Sequence, residues 1–282
     1  MRIHVNNEYG KLKSVVVSSA DYYNPEDLAL NNETIKYYAL HGGVPTKEDI
    51  LREQKDFWDV LKSYGVDVRV AAQVEGAKGQ MFTRDLAFVI GEKLFISRMK
   101  KENRRAAIEG WEAILSEISN EQIVRVPDDI ILEGGDVLVD GNTLYVGVSE
   151  RTNMQGVEFL KDTLGSTYKI VPLQLKEKFL HLDVVLTIVN PKLALVYRDG
   201  LEEESYKMLD DYEKIEITEE EQFELGTNVF VLDEDTVIVN AEHKRIIEKL
   251  EEHGLTILPL DFSETAKDGG AFRCTTCPLE RE

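Results

Sequence analysis

Short apolar runs separated by polar turns dominate this chain, and four pairs of them read as hairpins. These run from Leu86 to Ser97 across Gly91-Glu92, Val137 to Val148 across Asp140-Gly141-Asn142, Val184 to Tyr197 across Asn190-Pro191, and Asn228 to Asn240 across Asp233-Glu234. The turns recur about every 45 to 50 residues. Charged amphipathic stretches with helical spacing follow them: Arg104 to Ile118, Asn153 to Leu164, Glu202 to Leu209 and Glu242 to His253. Most units then close on another short strand, as at Gln122 to Val126, Tyr168 to Leu173 and Leu255 to Leu258. The unit is strand, strand, helix, strand. Repetition at this period implies radial or stacked modules that bury their apolar faces against one another. The strand Leu12 to Val17, the helix Lys47 to Tyr64 and the strand Val66 to Val70 supply a fifth unit, closed by the C-terminal segment. Ring closure of such an array brings the chain ends together at its centre.

At 282 residues and 43% hydrophobic, the chain has ample core-forming material, and with no evident linker it reads as a single α/β catalytic domain, 1–282. The longest apolar runs are strand-length and the opening residues lack an apolar signal region, so a cytoplasmic location is expected, without membrane association. A formal charge of -20 argues against nucleic acid and anionic membranes as partners. Runs such as Glu202–Glu204 and Glu219–Glu221 account for much of it as solvated faces. The polar segment Ser19 to Thr46, punctuated by Pro and Gly, is long enough to be a lid and equally readable as an irregular connection.

Four short segments carry chemistry into this frame. Both cysteines lie in the last nine residues, as Cys274-Thr-Thr-Cys277. A redox pair, half a metal site, and a nucleophile with a bystander are the options, and Pro278 with the missing further ligands favours the third, with Cys277 the bystander. Phe82-Thr-Arg-Asp85, Leu132-Glu-Gly-Gly-Asp136 and Leu180-His-Leu-Asp183 each place an ionisable residue in an otherwise apolar strand pattern, which costs free energy unless the charge is paired or serves a ligand. Two carboxylates, a histidine with a neighbouring acid and a thiol suit attack on a planar cationic carbon. Asp85 and Asp183 would clamp a guanidinium from two sides, and Cys274 would attack its carbon. His181, kept as imidazolium by Glu133, would protonate the departing amine and later activate water. Taken singly the residues allow blander roles: Asp85 as a turn or cap residue, His181 as a satisfied core histidine, Asp136 as a carboxylate paired to backbone.

Together with Ser149-Glu-Arg-Thr152 and Gly269-Gly-Ala-Phe-Arg-Cys-Thr-Thr-Cys-Pro278, these motifs resemble those of the guanidino-group modifying enzymes. That superfamily includes arginine deiminases, dimethylarginine dimethylaminohydrolases, agmatine deiminases and amidinotransferases, and the resemblance spans about residues 10 to 280. It implies a five-bladed pseudosymmetric α/β propeller. It also implies Cys274 as nucleophile, His181 as general acid and base, Glu133 as its support, Asp85 and Asp183 as clamp, and Arg104 and Arg151 on the substrate's carboxylate. Arg98 and Arg105 are alternatives to Arg104. The pair His181-Leu-Asp183 and the ending Arg-Cys-Thr-Thr-Cys-Pro resemble the arginine deiminase type, which yields citrulline and ammonia. Chain length resembles the dimethylarginine hydrolases, and Gly79 and Gly269 depart from the deiminase pattern. Amidino transfer to an amine remains an alternative. A small guanidino substrate, no metal and no cofactor are expected, since the histidines are scattered and no phosphate-binding glycine loop occurs. A homodimer is the base-rate expectation for a soluble enzyme.

Overall fold

The expected repetition takes the form of five three-stranded sheets among the described residues. The computed structural model describes residues 1–25 and 33–282. Its strands are β1 (Leu12–Ser18), β2 (Asp67–Ala71), β3 (Ala87–Ile90), β4 (Lys93–Ile96), β5 (Ile123–Arg125), β6 (Val137–Asp140), β7 (Thr143–Val148), β8 (Lys169–Gln174), β9 (Leu186–Asn190), β10 (Leu193–Val196), β11 (Glu213–Glu216), β12 (Phe230–Asp233), β13 (Thr236–Asn240), β14 (Thr256–Leu260) and β15 (Cys277–Arg281). They group as β15-β1-β2, β3-β4-β5, β6-β7-β8, β9-β10-β11 and β12-β13-β14. In every sheet the first strand runs antiparallel to the middle one and the middle one parallel to the third. A parallel pair needs a crossover, and helical segments between the second and third strands supply it. The architecture is a five-bladed α/β propeller.

Closure is made by the chain ends. β15 pairs with β1 from Leu12 opposite Arg281 to Val16 opposite Cys277, so the last strand occupies the first place in the blade that opens the chain. The blade strands are nearly continuous apolar runs because both faces are covered: Val15, Val16 and Val17 of β1 are fully buried, as are Leu144 and Val146 of β7 and Val237, Ile238 and Val239 of β13. The crossover helix Lys47–Ser63 begins where the Thr46 hydroxyl accepts from the Asp49 amide, a cap of about 1 kcal/mol, and buries Ile50, Phe57 and Leu61 on one face.

One element differs from expectation. Residues 104–118 do not form one helix but a helical turn Glu102–Arg105, a 3-10 segment Ala106–Trp111 and a second turn Glu112–Leu115. The Gly110 carbonyl leaves the helix to accept from the Ala72 amide at 2.9 Å, and the backbones approach so closely there that a Cβ on Gly110 would lie 2.0 Å from the Ala72 oxygen. Tertiary contact with the end of β2 overrides helical periodicity. Of the segment 19–46, residues 26–32 lie outside the described residues. The helix Glu33–His41 sets Tyr37 edge-on against Phe223 at 5.3 Å, and Tyr22, Tyr23 and Ile35 line the cavity described below. No described helix is long and apolar enough to cross a membrane.

Candidate active site

Each blade delivers a residue to the same place. Just before the first strand of a blade stand Asp85, Asp136, Asp183, Asn228 and Cys274, each followed by the hydrophobic or threonine residues that lead into β3, β6, β9, β12 or β15. Pseudo-symmetry therefore converts one repeated register into a cluster, and all five are buried. The Cys274 loop is held from behind by Phe272, which stacks on Phe262 at 4.2 Å and meets Phe57 at 5.0 Å. The Cys274 carbonyl accepts from the Arg84 amide at 3.2 Å, tying the closing blade to the one beside it.

A cavity of about 700 Å3, a size suited to small ligands, is lined by Cys274, Asp85, His181, Arg104 and Arg151 at one part of its wall and by Met81, Phe82, Phe179 and Leu180 around them. His181 lies between two acids: Nε2 is 2.8 Å from Glu133 Oε2, and Nδ1 is 3.5 Å from Asp85 Oδ1. Burial alone would depress the imidazole, but Asp85, the Glu133 hydrogen bond and Asp136 outweigh it and hold His181 up at about 10. Burial also opposes charge on Glu133, yet His181, Arg104 and Arg151 together keep its carboxyl below the usual range. The backbone amide of Lys100 donates to its other oxygen at 2.8 Å. Gly135 makes this packing achievable, since a Cβ there would sit 2.8 Å from His181 Cγ and 2.9 Å from Asp85 Oδ1.

Asp85, His181, Glu133, Cys274 and Arg151 thus converge as the motifs suggested. Asp85 is no cap: its Oδ2 takes Arg104 Nη1 at 2.9 Å. Arg104 also reaches toward Glu133 at 3.9 Å and donates to the Gly79 carbonyl at 3.2 Å. A Cβ on Gly79, whose φ is +60°, would lie 2.9 Å from Arg104 Nε, so the glycine at this position leaves room for the arginine. Arg151 Nη1 stands 3.5 Å from Glu133 Oε2. The alternatives point elsewhere: Arg98 pairs with Asp128, and Arg105 donates to the Met99 carbonyl.

Asp183 lies beside the sulfur. It is fully buried and absent from the cavity wall, with Oδ2 2.9 Å from Arg273 Nη1 and 3.6 Å from Cys274 Sγ. Arg273 in turn binds Glu8 and the Val137 carbonyl, which holds Asp183 Oδ2 in place, while Asp183 Oδ1 is buried without a hydrogen-bond partner among the described residues. Burial lifts the Asp183 carboxyl above its usual range, countered by Arg273 and His181. Asp136 does pair with backbone, accepting from the Leu182 amide at 2.9 Å and from Ser149 Oγ at 2.7 Å, and burial raises it to about 7. Cys277 is fully buried, unbridged and directed at the Ala87 carbonyl, consistent with a bystander.

The sulfur of Cys274 is held as a thiol, pushed well above its ordinary value first by burial and then by the charges of Asp183 and Asp85. Sequence reasoning missed Asn228, whose Nδ2 lies 3.1 Å from that sulfur, although it opens the fourth hairpin at the register shared by Asp85 and Asp183. It also missed Asp268, a cavity-wall acid raised to about 7 by burial against the pull of Arg104. Glu8 carried no signal, being one polar residue in a polar opening segment.

Asp85, Glu133 and His181 present donor atoms within 4.8 Å of one another, the spacing of a metal site. Their chemistry here fits a cation of another kind. Both carboxylates already face arginines, Asp85 with Arg104 Nη1 at 2.9 Å and Glu133 with Arg151 Nη1 at 3.5 Å. The same Arg104 guanidinium lies 3.9 Å from Glu133 Oε2.

A sequence model described as N,N dimethylarginine dimethylhydrolase, eukaryotic, matches residues 22–281. The chain belongs to this family. Within the wider guanidino-group modifying superfamily, the dimethylarginine dimethylhydrolase fold seen here recurs in distant proteins. The chain is 37% identical over 280 residues to the uncharacterized protein YkgA of Bacillus subtilis, covering 97% of this chain and 94% of the relative. Solved structures share the fold at low identity, among them the following two. SxtG, an amidinotransferase of the saxitoxin biosynthetic pathway from Microseira wollei, superposes with a TM-score of 0.84 at 20% identity, covering 99% of this chain and 97% of that one. The N-terminal domain of ArgZ, an arginine dihydrolase from the cyanobacterial ornithine-ammonia cycle, gives 0.84 at 21%, covering 96% and 98%.

Proposed function

We propose that this protein hydrolyses a guanidinium C-N bond of L-arginine or an Nω-methylated arginine through a covalent intermediate on Cys274. The observation that carries the reading is the convergence on one cavity of a buried thiol, the Asp85 carboxylate and the His181–Glu133 pair. The substrate guanidinium takes Asp85, and its positive charge offsets the burial and the neighbouring acids that hold Cys274 as a thiol. Asp183, 3.6 Å from Sγ and itself raised by burial, is the near acceptor for the thiol proton. The thiolate attacks the guanidinium carbon, His181 gives its proton to the departing nitrogen, and that amine leaves. Water, deprotonated by His181, then attacks the S-bound amidine carbon, and cleavage of the C-S bond returns the sulfur and releases the ureido product.

Methylated and unmethylated substrates are both included because Asp85 is the carboxylate on the cavity wall beside Cys274, whereas Asp183 Oδ2 is taken by Arg273. A second front carboxylate would require N-H donors on both guanidinium edges; a single one at Asp85 does not. The test is incubation with L-arginine, agmatine and asymmetric dimethylarginine while the ureido product, ammonia and dimethylamine are followed together. Citrulline with either amine supports hydrolysis. Turnover only when an amine acceptor is added would overturn it in favour of amidino transfer, the kind of reaction that the amidinotransferase SxtG is named for.

A substrate guanidinium that sits bidentate on Asp85 needs the Oδ2 that Arg104 Nη1 occupies, so bidentate binding displaces Arg104 from that oxygen. The displaced arginine keeps only the Gly79 carbonyl and the 3.9 Å approach to Glu133 unless the substrate's own carboxylate receives it. Arg104→Met is therefore expected to tighten binding of agmatine, which lacks a carboxylate, by about tenfold, while L-arginine gains less or loses affinity. Calorimetry on the Cys274→Ser background reads both; unchanged agmatine affinity would remove the displacement step.

A further inference from the structure

Of the five blades, four place an ionisable residue at the register before the first strand: Asp85, Asp136, Asp183 and Cys274. The remaining blade places an amide, Asn228, 1% exposed, and this amide touches the sulfur. Its Oδ1 accepts from the Cys274 backbone amide at 3.1 Å, and its Nδ2 donates to the Asp183 carbonyl at 3.0 Å and to Cys274 Sγ at 3.1 Å. An amide nitrogen has two hydrogens, so one serves each acceptor, and a purely structural bridge between the two loops would need only one of them.

We propose that Asn228 is a further catalytic residue of the guanidinium chemistry, donating to the Cys274 thiolate during attack and again when the sulfur departs from the amidine carbon. The inference rests on the hydrolytic reading above for its place in the reaction and on geometry for the contact. Burial, Asp183 and Asp85 all disfavour the thiolate, and the compensating charge of Arg273 is divided between Asp183 and Glu8. Arg104 contacts Asp85, Glu133 and the Gly79 carbonyl, none of them the sulfur. The Ala271 backbone assists the sulfur, and Asn228 supplies a side-chain donor that reaches it. A carboxylate at this register, as in the neighbouring blades, would instead accept from the thiol and repel the thiolate. The departure from the repeat falls where a negative sulfur must be carried.

The test compares wild type with Asn228→Asp and Asn228→Ser. Alkylation of Cys274 by iodoacetamide is followed against pH by peptide mass spectrometry, alongside kcat, KM and thermal midpoint. Asn228→Asp is nearly isosteric and is expected to move the alkylation profile up by about one pH unit or more, about tenfold less thiolate at fixed pH. Its kcat is expected to fall at least as much, with KM little changed. Asn228→Ser keeps a hydroxyl donor and is expected to fall between the two. Unmoved alkylation profiles and kcat, with only the thermal midpoint lowered, would show a structural bridge and overturn the proposal. If wild type turns over no guanidino compound while Asn228→Asp shifts the alkylation profile, the hydrolytic reading and the catalytic role fall, and thiolate stabilisation alone stands.

Discussion

Replacing Cys274 with serine is expected to abolish turnover, by about 10^4-fold or more, while leaving the fold and guanidinium binding in place. The reason is the protonation state of everything around the sulfur. A serine hydroxyl needs a strong general base to become a nucleophile, and the adjacent groups are unsuited: His181 is held as imidazolium to about 10, Glu133 is hydrogen-bonded to it, and Asp183, which can take a thiol proton, is far too weak a base for an alcohol. A thiol can be brought to its anion by the incoming cation because its intrinsic pKa is far lower than that of an alcohol. The variant keeps Asp85, so L-arginine should still bind in calorimetry with an affinity within a few-fold of wild type. Product formation within tenfold of wild type would mean that the covalent route through residue 274 is not used.

The second large effect is expected at Glu133. Glu133→Gln preserves shape and a hydrogen bond to His181 Nε2 but removes one of the charges that hold the imidazolium. A raised histidine pKa keeps the protonated form at neutral pH and loses it as pH climbs through about 10, so wild-type kcat should show a descending alkaline limb there. In Glu133→Gln that limb should move toward neutrality, with kcat near pH 8 falling about a hundredfold. The same change leaves Arg151 and Arg104 facing an uncharged amide, so their repulsion of the imidazolium acts in the same direction. A pH-kcat profile supplies the measurement, and an alkaline limb that does not move would separate Glu133 from the proton-transfer step.

Much of the fold is legible along the chain because blade strands obey a local rule. Each hairpin buries both faces, so its apolar runs stand out, and the turns at Gly91, Gly141, Asn190 and Asp233 punctuate them at a steady period. The helical periodicity of residues 104–118 misleads because its interruption is imposed by Ala72, far away in sequence, binding the Gly110 carbonyl. β11 is harder to see: its alternation of charged residues with a single buried Ile215 resembles the acidic surface runs around it.

The amino-acid sequence by itself determined the repeat, the strand-strand-helix-strand unit, the presence of an unbridged thiol near the chain end, and the ionisable residues that interrupt apolar patterns. Those follow from local propensity and from the cost of burying a charge, which both act along the chain. Only the tertiary structure decided which of these groups pair with one another. It put Arg104 on Asp85, tied Asp183 to Arg273 within 3.6 Å of the sulfur, and brought the amide of Asn228 to Cys274. Pairing among buried charges depends on distances of a few ångströms between residues from different blades, and those distances exist only after β15 closes the ring against β1.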